Sequence, residues 1–454
     1  YDIGSGLVGS EMCIRDRTFY ITGGGAKDAA VTATGNVNYL GGKTETKVSA
    51  SNLSAGSGTL KVGAFDAANV DTVIATATGA LGAAIGVVTN VITTDHSTGV
   101  IVTGTSTDKS SLTGTSVSVD ADAKEGISSL LIAASGAQYA AVSASANVNR
   151  QLSDVSAAVD QAEVLGSFAQ NANYLGKITT SAITAAGSQY AAVPISVVIN
   201  YADNAVSSSL VHSILRAEGQ VASVGANRIS EFSSLNVTAS GAMYGAAAGL
   251  VNVNTIEGAT SAEVNDSEVK AGQFNVNAEN EDHLKVTDVT AAGAIGSLGA
   301  SVIVSYLKGS SAANLRNSIV TADKLTVSSL QDHYVNGTVA FASGGIGTIG
   351  ANVFSLVIGS GDNPFASNRQ DLGKAEDTVN KYLSDYASSG SGSLGFIAEN
   401  DDLTQEEKDK IVGSAAAADA AVSSGSGKGA SVLVSGNQLT VGSAGISAKE
   451  DSKG

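Results

Sequence analysis

The stretch "GAQYAAVSASANVN", Gly136 to Asn149, decides the fold because the chain repeats it. Related stretches are "GAKDAAVTATGNVN" from Gly25, "GALGAAIGVVTNVI" from Gly79 and "GSQYAAVPISVVIN" from Gly187. Three more follow: "GAMYGAAAGLVNVN" from Gly241, "GAIGSLGASVIVSY" from Gly293 and "GGIGTIGANVFSLV" from Gly344. The spacings are 54, 57, 51, 54, 52 and 51 residues. Fixed-period self-similarity of this kind is the signature of a repeat architecture.

Within each copy the local period is two. Counting from the anchor glycine, even positions give Val142, Ala144, Ala146 and Val148, or Val193, Ile195, Val197 and Ile199. The odd positions are mostly Ser, Thr and Asn. Alternation of this kind marks β-strands with one face in and one face out, and the natural expectation puts the apolar set inside. In the sixth and seventh copies the parity moves by one residue (Val302, Val304 and Val353), which predicts a bulge or slip there. A second landmark, a polar turn followed by an alternating strand, recurs at Ser51–Ala64, Asp266–Glu279 and Asn317–Ser329, with "SGNQLTVGS" as one more copy.

A repeat of this length is too small to bury a core alone, but stacked copies share one. The expected fold is all-β: a parallel β-solenoid (β-helix) of about seven repeats of 51–57 residues. With roughly two coils per repeat, about fourteen coils at about 4.8 Å each would make a rod roughly 65–70 Å long. A β-propeller needs aromatic or Trp-Asp punctuation in each blade, and the chain has no Trp.

Composition agrees. Of 454 residues 53 are Gly and 2 are Pro, and aromatics are 5% against 43% hydrophobic, so any interior is built from small side chains. The net charge of −17 disfavours nucleic acid or an anionic membrane as partner. No apolar run approaches the roughly 18 residues of a membrane helix.

Two segments depart from the pattern. Residues 361–430 interrupt it. Leu372, Ala375, Val379, Leu383 and Tyr386 lie at helical spacing, and Thr404 and Glu407 at capping-box spacing. A helical insertion on a loop is expected there, with residues 431–454 returning to the solenoid. At the other end, "LVGSEMCIRD", Leu7 to Asp16, resembles an open-frame translation of the transposase adapter used to prepare DNA for short-read sequencing. Its charges and short apolar runs do not fit a secretory signal. Residues 1–17 are therefore expected to be non-native read-through that stays outside a solenoid spanning 18–360. Without them the charge is −16 and the single cysteine, Cys13, disappears, and with it any thiol chemistry. The chain is expected to be a fragment of something longer.

"GAQYAAVSASANVN" together with "AEVNDSEVKAGQFNVNAE" (Ala262 to Glu279) resembles the repeats of filamentous-haemagglutinin-like adhesins, in particular the leukotoxin-like filamentous adhesins of Gram-negative bacteria. The resemblance covers roughly residues 18–360 and 430–450. It implies a repetitive rod, secreted or exposed at the outer-membrane surface, that attaches to host-cell or matrix components, glycans among them. It also implies an outer-membrane translocator as partner during export. Alternatives are a purely structural surface-layer or matrix protein, or a β-solenoid polysaccharide-degrading enzyme.

Candidate sites are few. Tyr139, Tyr190 and Tyr244 stand three residues after their anchors in successive repeats. By parity they face outward, where rings can stack on sugars; alternatively each packs over its own turn. The recurrent Asn36, Asn90, Asn147 and Asn252, and Asn38, Asn149, Asn200 and Asn254, are expected to satisfy turn backbone. "NEDHLK" (Asn280–Lys285) and "QDHYVN" (Gln331–Asn336) read as solvated turns, and the acidic run Glu399–Asp409 as a solvated helix start. Neither has metal-ligand spacing. "GGGAKD" at Gly23 and "GSGKGAS" at Gly425 lack the ending of a phosphate loop. Charged residues are scattered, so no catalytic residue, cofactor or metal ligand is expected.

Overall fold

Each anchor glycine stacks on the next. Gly25 pairs with Gly79, Gly79 with Gly136, and the column runs on through Gly187, Gly241 and Gly293 to Gly344. A computed structural model describes the backbone of residues 6–358 and 429–453, all of it strand or turn. Two parallel sheets result. The first holds β1 (Gly6–Ala26), β4 (Thr59–Ala80), β6 (Ser110–Ala137), β8 (Ala162–Ser188), β10 (Ile214–Gly241), β13 (Glu268–Gly293), β16 (Ile319–Gly344) and β19 (Gln438–Lys453), with β3 (Asn52–Ser54) beside β6. The second holds β2 (Ala29–Ser49), β5 (Ala83–Thr103), β7 (Ala140–Asp160) and β9 (Ala191–Val211). It continues as two half-strands per coil: β11 (Gly245–Glu257) and β12 (Ala259–Asn265), β14 (Gly296–Leu307) and β15 (Ser310–Arg316), then β17 (Gly347–Ile358) and β18 (Gly429–Ser435).

The chain runs along one sheet, folds back at the anchor turn, and returns along the other. One circuit uses one whole repeat, so there is one coil per repeat and not two. The expectation of two assumed ordinary strands of about 5–6 residues. Here the first sheet's main strands run 16–28 residues. Eight of them stack to about 34 Å, half the expected rod, while each is long enough to make the coil broad.

The parity shift of the last two copies sits in the turn, not in a strand. Three residues separate Gly241 from its partner-strand start Gly245, but only two separate Gly293 from Gly296, and those two starts pair directly. The strands β11, β14 and β17 stay in continuous register. Register shifts fall instead in the first sheet, between Thr113 and Ser116 and between Ala217 and Val221. The β9–β11 ladder also lapses between Ala192/Ala246 and Ile195/Gly249, beside Pro194, which has no N–H to give.

Residues 6–17 do join the stack. Gly6 to Arg17 pair with Leu60 to Asp71 without a break, which corrects the expectation that they stay outside. The cause is the open edge of β4, a row of unpaired N–H and C=O groups that accepts any extended segment regardless of side chain. Cys13, Arg15 and Arg17 are accordingly exposed, the arginines near Asp71. Residues 1–5 and 359–428 lie outside the described residues, and with them most of the expected helical insertion over 361–430; its last two residues, Gly429 and Ala430, already belong to β18. The chain leaves the second sheet at Ile358 and rejoins it at Gly429. The preceding coil covers the same step with Lys308-Gly309 alone.

Between the sheets the interior changes character in bands. Ala141, Ala186, Ala192, Ala246 and Ala292 line the narrow arch end. A band of Asn, Ser and Thr follows, then Ile92, Ile127, Ile178, Phe232 and Ile303. Beyond a polar seam lies the main Val and Leu cluster, from Leu60 through Val164 and Phe274 to Val327. At its far end the backbone turns a corner in which Gln161, His212, Asp266 and Asn317 all take positive φ, near 50°. The next residues, Ser213, Ser267 and Ser318, form a hydroxyl column: the Ser267 Oγ accepts the Ser213 N–H at 3.2 Å, and the Ser318 Oγ accepts the Ser267 N–H at 3.2 Å. Buried corner amides are thereby satisfied from the neighbouring coil.

Candidate functional site

The three tyrosines converge. Tyr139 and Tyr190 stack with ring centroids 5.4 Å apart at 13°, and Tyr190 and Tyr244 at 5.2 Å and 18°. They remain 56%, 45% and 51% exposed. The anchor turn explains the alignment: Ala191 N–H donates to the Tyr139 carbonyl at 3.1 Å and Gly245 N–H to the Tyr190 carbonyl at 3.0 Å. Each tyrosine therefore sits one strand spacing above the last. On one side the ladder ends at Gly82, whose carbonyl accepts the Tyr139 N–H and which has no side chain to add. On the other the shortened turn puts Gly296 directly after Ile295, with no residue left for a fourth ring. Because the rings face one another, only the two terminal ring faces are open. The rest of the ladder presents edges and three hydroxyls.

The asparagines are not turn residues, and the expected parity of these strands is inverted. Asn36 donates to Asn90 at 2.8 Å and Asn90 to Asn147 at 3.0 Å. One position along, Asn149 donates to Asn200 and Asn200 to Asn254, both at 2.9 Å. Asn147 and Asn149 reach across to Ser129 and Thr180 on the opposite sheet. These amides are buried between the sheets, while Ala144, Ala146, Val148, Ile195, Val197 and Ile199 turn outward. Stacked coils offer an amide the same partner every 4.8 Å, so burial costs it little. Asp288 joins this band, accepting from Asn236 at 2.7 Å and Asn252 at 3.2 Å. Burial pushes its carboxyl up to about 6, against the pull of those two amides.

The "DH" pairs are not solvated turns either. They lie in mid-strand, with Asp282 paired in register to His333. Arg228, fully buried, donates to Asp282 at 2.7 Å, to Asn280 at 2.7 Å and to the Glu257 carbonyl at 2.8 Å. His333 Nδ1 approaches the other Asp282 oxygen at 3.1 Å, and Nε2 lies 2.8 Å from Gln331. A side chain at Gly309 would collide with Arg228 and Asn280, so the glycine makes room for the cluster. His283 and Asp332, at alternate positions, face outward, His283 edge-on to Tyr334.

Toward the other end the same seam holds Glu125, two coils from Arg228, and Asp66 and His96, three coils from it. His96 Nδ1 lies 2.8 Å from Asp66. Glu125 accepts from Ser153, from Thr94 at 3.0 Å and from Tyr174 at 3.4 Å. Burial raises the Glu125 carboxyl, opposed by Ser153, His96 and Thr94. Burial is also the largest influence on His96 and pulls it down, but Asp66 and the Glu125 charge outweigh it and leave it raised. Burial lifts the Tyr174 phenol well above its usual range.

The seam brings together groups that look scattered along the chain. The signal was present: Asp66, Ala123, Tyr174, Arg228, Asn280 and Gln331 are one register column. These groups are sealed from solvent and hold one another. Among the described residues, no three His, Cys, Asp or Glu are placed to hold a metal ion. Comparison with protein-family models, curated proteins and solved structures finds no match to this chain.

Proposed function

We propose that this chain is a segment of a bacterial adhesin, a repetitive rod secreted or displayed at the outer surface of a Gram-negative cell. Its partners are host-cell or matrix components, glycans first among them, with an outer-membrane translocator during export. The finer expectation of a regular seven-repeat solenoid with a helical insertion over 361–430 belongs to the same reading. The observation that carries it is the exposed tyrosine ladder, three aligned rings about half exposed on a parallel stack. A glycan would stack on a terminal ring face and bond along the hydroxyls. The test is a Tyr139→Ser, Tyr190→Ser, Tyr244→Ser variant on glycan arrays and cultured cells. Binding by the parent chain that falls at least about tenfold in the variant is expected, a loss of the size one or two ring contacts supply. Equal binding by parent and variant would sink the reading of these residues.

A further inference from the structure

The inverted parity leaves a large apolar surface uncovered. On the half of the second sheet nearest the anchor turns, β9 turns Val193, Ile195, Val197 and Ile199 outward. The same four positions recur on the six neighbouring strands β2, β5, β7, β11, β14 and β17. Every one is Gly, Ala, Val, Leu or Ile, except Thr89 and Ser355, and none is charged. Seven strands about 4.8 Å apart, with outward positions about 6.7 Å apart, make a flat field of roughly 34 by 27 Å, or about 900 Å². The largest patch on an ordinary monomer is about 300–600 Å². In the row nearest the anchor turns Ile85 and Val142 are covered, at 9% and 2% exposed, whereas Val193, Val197 and Val251 are part-exposed and at the free edge Val31 and Val37 reach 60% and 76%.

We propose that this field is the contact between two copies of the chain, packed face to face through their second sheets. Its area matches the roughly 800 Å² per partner of a standard stable interface. Its lattice, set by strand spacing in one direction and by the pleat in the other, is met over the full length only by an identical stack. Its border is polar, as interfaces require. The tyrosine ladder runs along one side. Along the other are Arg150 over the Tyr201 ring at 5.9 Å and the Lys308–Glu257 pair at 3.5 Å. The first sheet's outer face is the weaker candidate, because its two columns nearest the turn are Gly and, almost throughout, Ala, with little side chain to bury. The contact goes beyond the adhesive reading and does not depend on it.

Sedimentation of the whole chain tests this between about 1 and 100 µM, where an interface of this size associates. A dimer is expected. Val197→Lys with Val251→Lys, at the centre of the field and pointing outward, is expected to weaken it about 100-fold, since each lysine is desolvated without a partner. Ile183→Lys with Val237→Lys, on the outer face of the first sheet, should leave it intact. Should the lysine pair unfold the chain, Val197→Thr with Val251→Thr keeps the shape and should weaken the dimer in the same direction. A monomer throughout the range overturns the proposal, whether residues 359–428 cover the field or nothing does. So does dissociation by the first-sheet variant, association untouched by any second-sheet variant, or binding to zwitterionic vesicles in place of self-association.

Discussion

Asp288 is a carboxyl held among amides with, among the described residues, no cation near enough to pair with it. Its value in the fold, about 6, lies above the 3.8 of the free side chain. The folded chain therefore holds a proton that the unfolded chain releases, and stability falls as pH rises from about 4 to about 6, then levels. Glu125 and Asp120, both raised by burial, push the same way. Asp288→Asn keeps an acceptor for Asn236 and removes the buried charge. It should stabilise the protein by up to about 3 kcal/mol at neutral pH and flatten that part of the profile, as read by urea melts at pH 4, 5, 6 and 7. Arg228 carries the opposite expectation. Arg228→Met strands the buried Asp282 and should cost about 3–5 kcal/mol, whereas adding Asp282→Leu should recover part of it. Neither residue stands out in the sequence, because a buried ion and a surface ion look alike until the strands are aligned column by column.

At the scale of a strand, alternation was legible and its direction was not. The spacing of Val193, Ile195, Val197 and Ile199 establishes a strand, but period two only says that two faces differ. Which face turns in depends on whether the polar set can satisfy itself, and stacked asparagines can. Asn200 is the clearest case, since it accepts from Asn149 and Thr180 and donates to Asn254. Asn200→Ala should cost about 2–4 kcal/mol in thermal or chemical denaturation, more than the loss of one ordinary hydrogen bond, because three buried partners lose theirs together. Val197→Ala, equally central but outward, should cost under about 1 kcal/mol in the isolated chain. If the two costs came out reversed, the assignment of inner and outer faces would be wrong. The tyrosines are exposed because they lie in the anchor turns and not by strand parity, which is inverted and buries the asparagines they were grouped with, and their mutual stacking was not visible. It depends on turns of equal length, which only those three copies and the two before them share.

For the molecule as a whole, the anchor glycines predicted the register, since all seven stack in one column. What they did not reveal was coil number, because strand length is set by how far two sheets can face each other without a corner, and no local signal marks that. The same register argues that residues 359–428 are dispensable to the stack. Joining Ile358 to Gly429 through Lys-Gly, the link used one coil earlier, should preserve the β-sheet circular dichroism spectrum and move the melting temperature by no more than about 3 °C. The one-coil circuit also fixes how the protein would behave under tension. Pulled from its ends, a coil can only peel from the edge, since every interior coil is clamped on both sides. Each rupture would then release one circuit of 51–57 residues, about 18 nm of slack, except the circuit carrying residues 359–428, which is 119 residues long and would release about 40 nm. A tethered chain would lengthen in near-equal steps, with one step about twice as long, while the coils behind each break kept their hold.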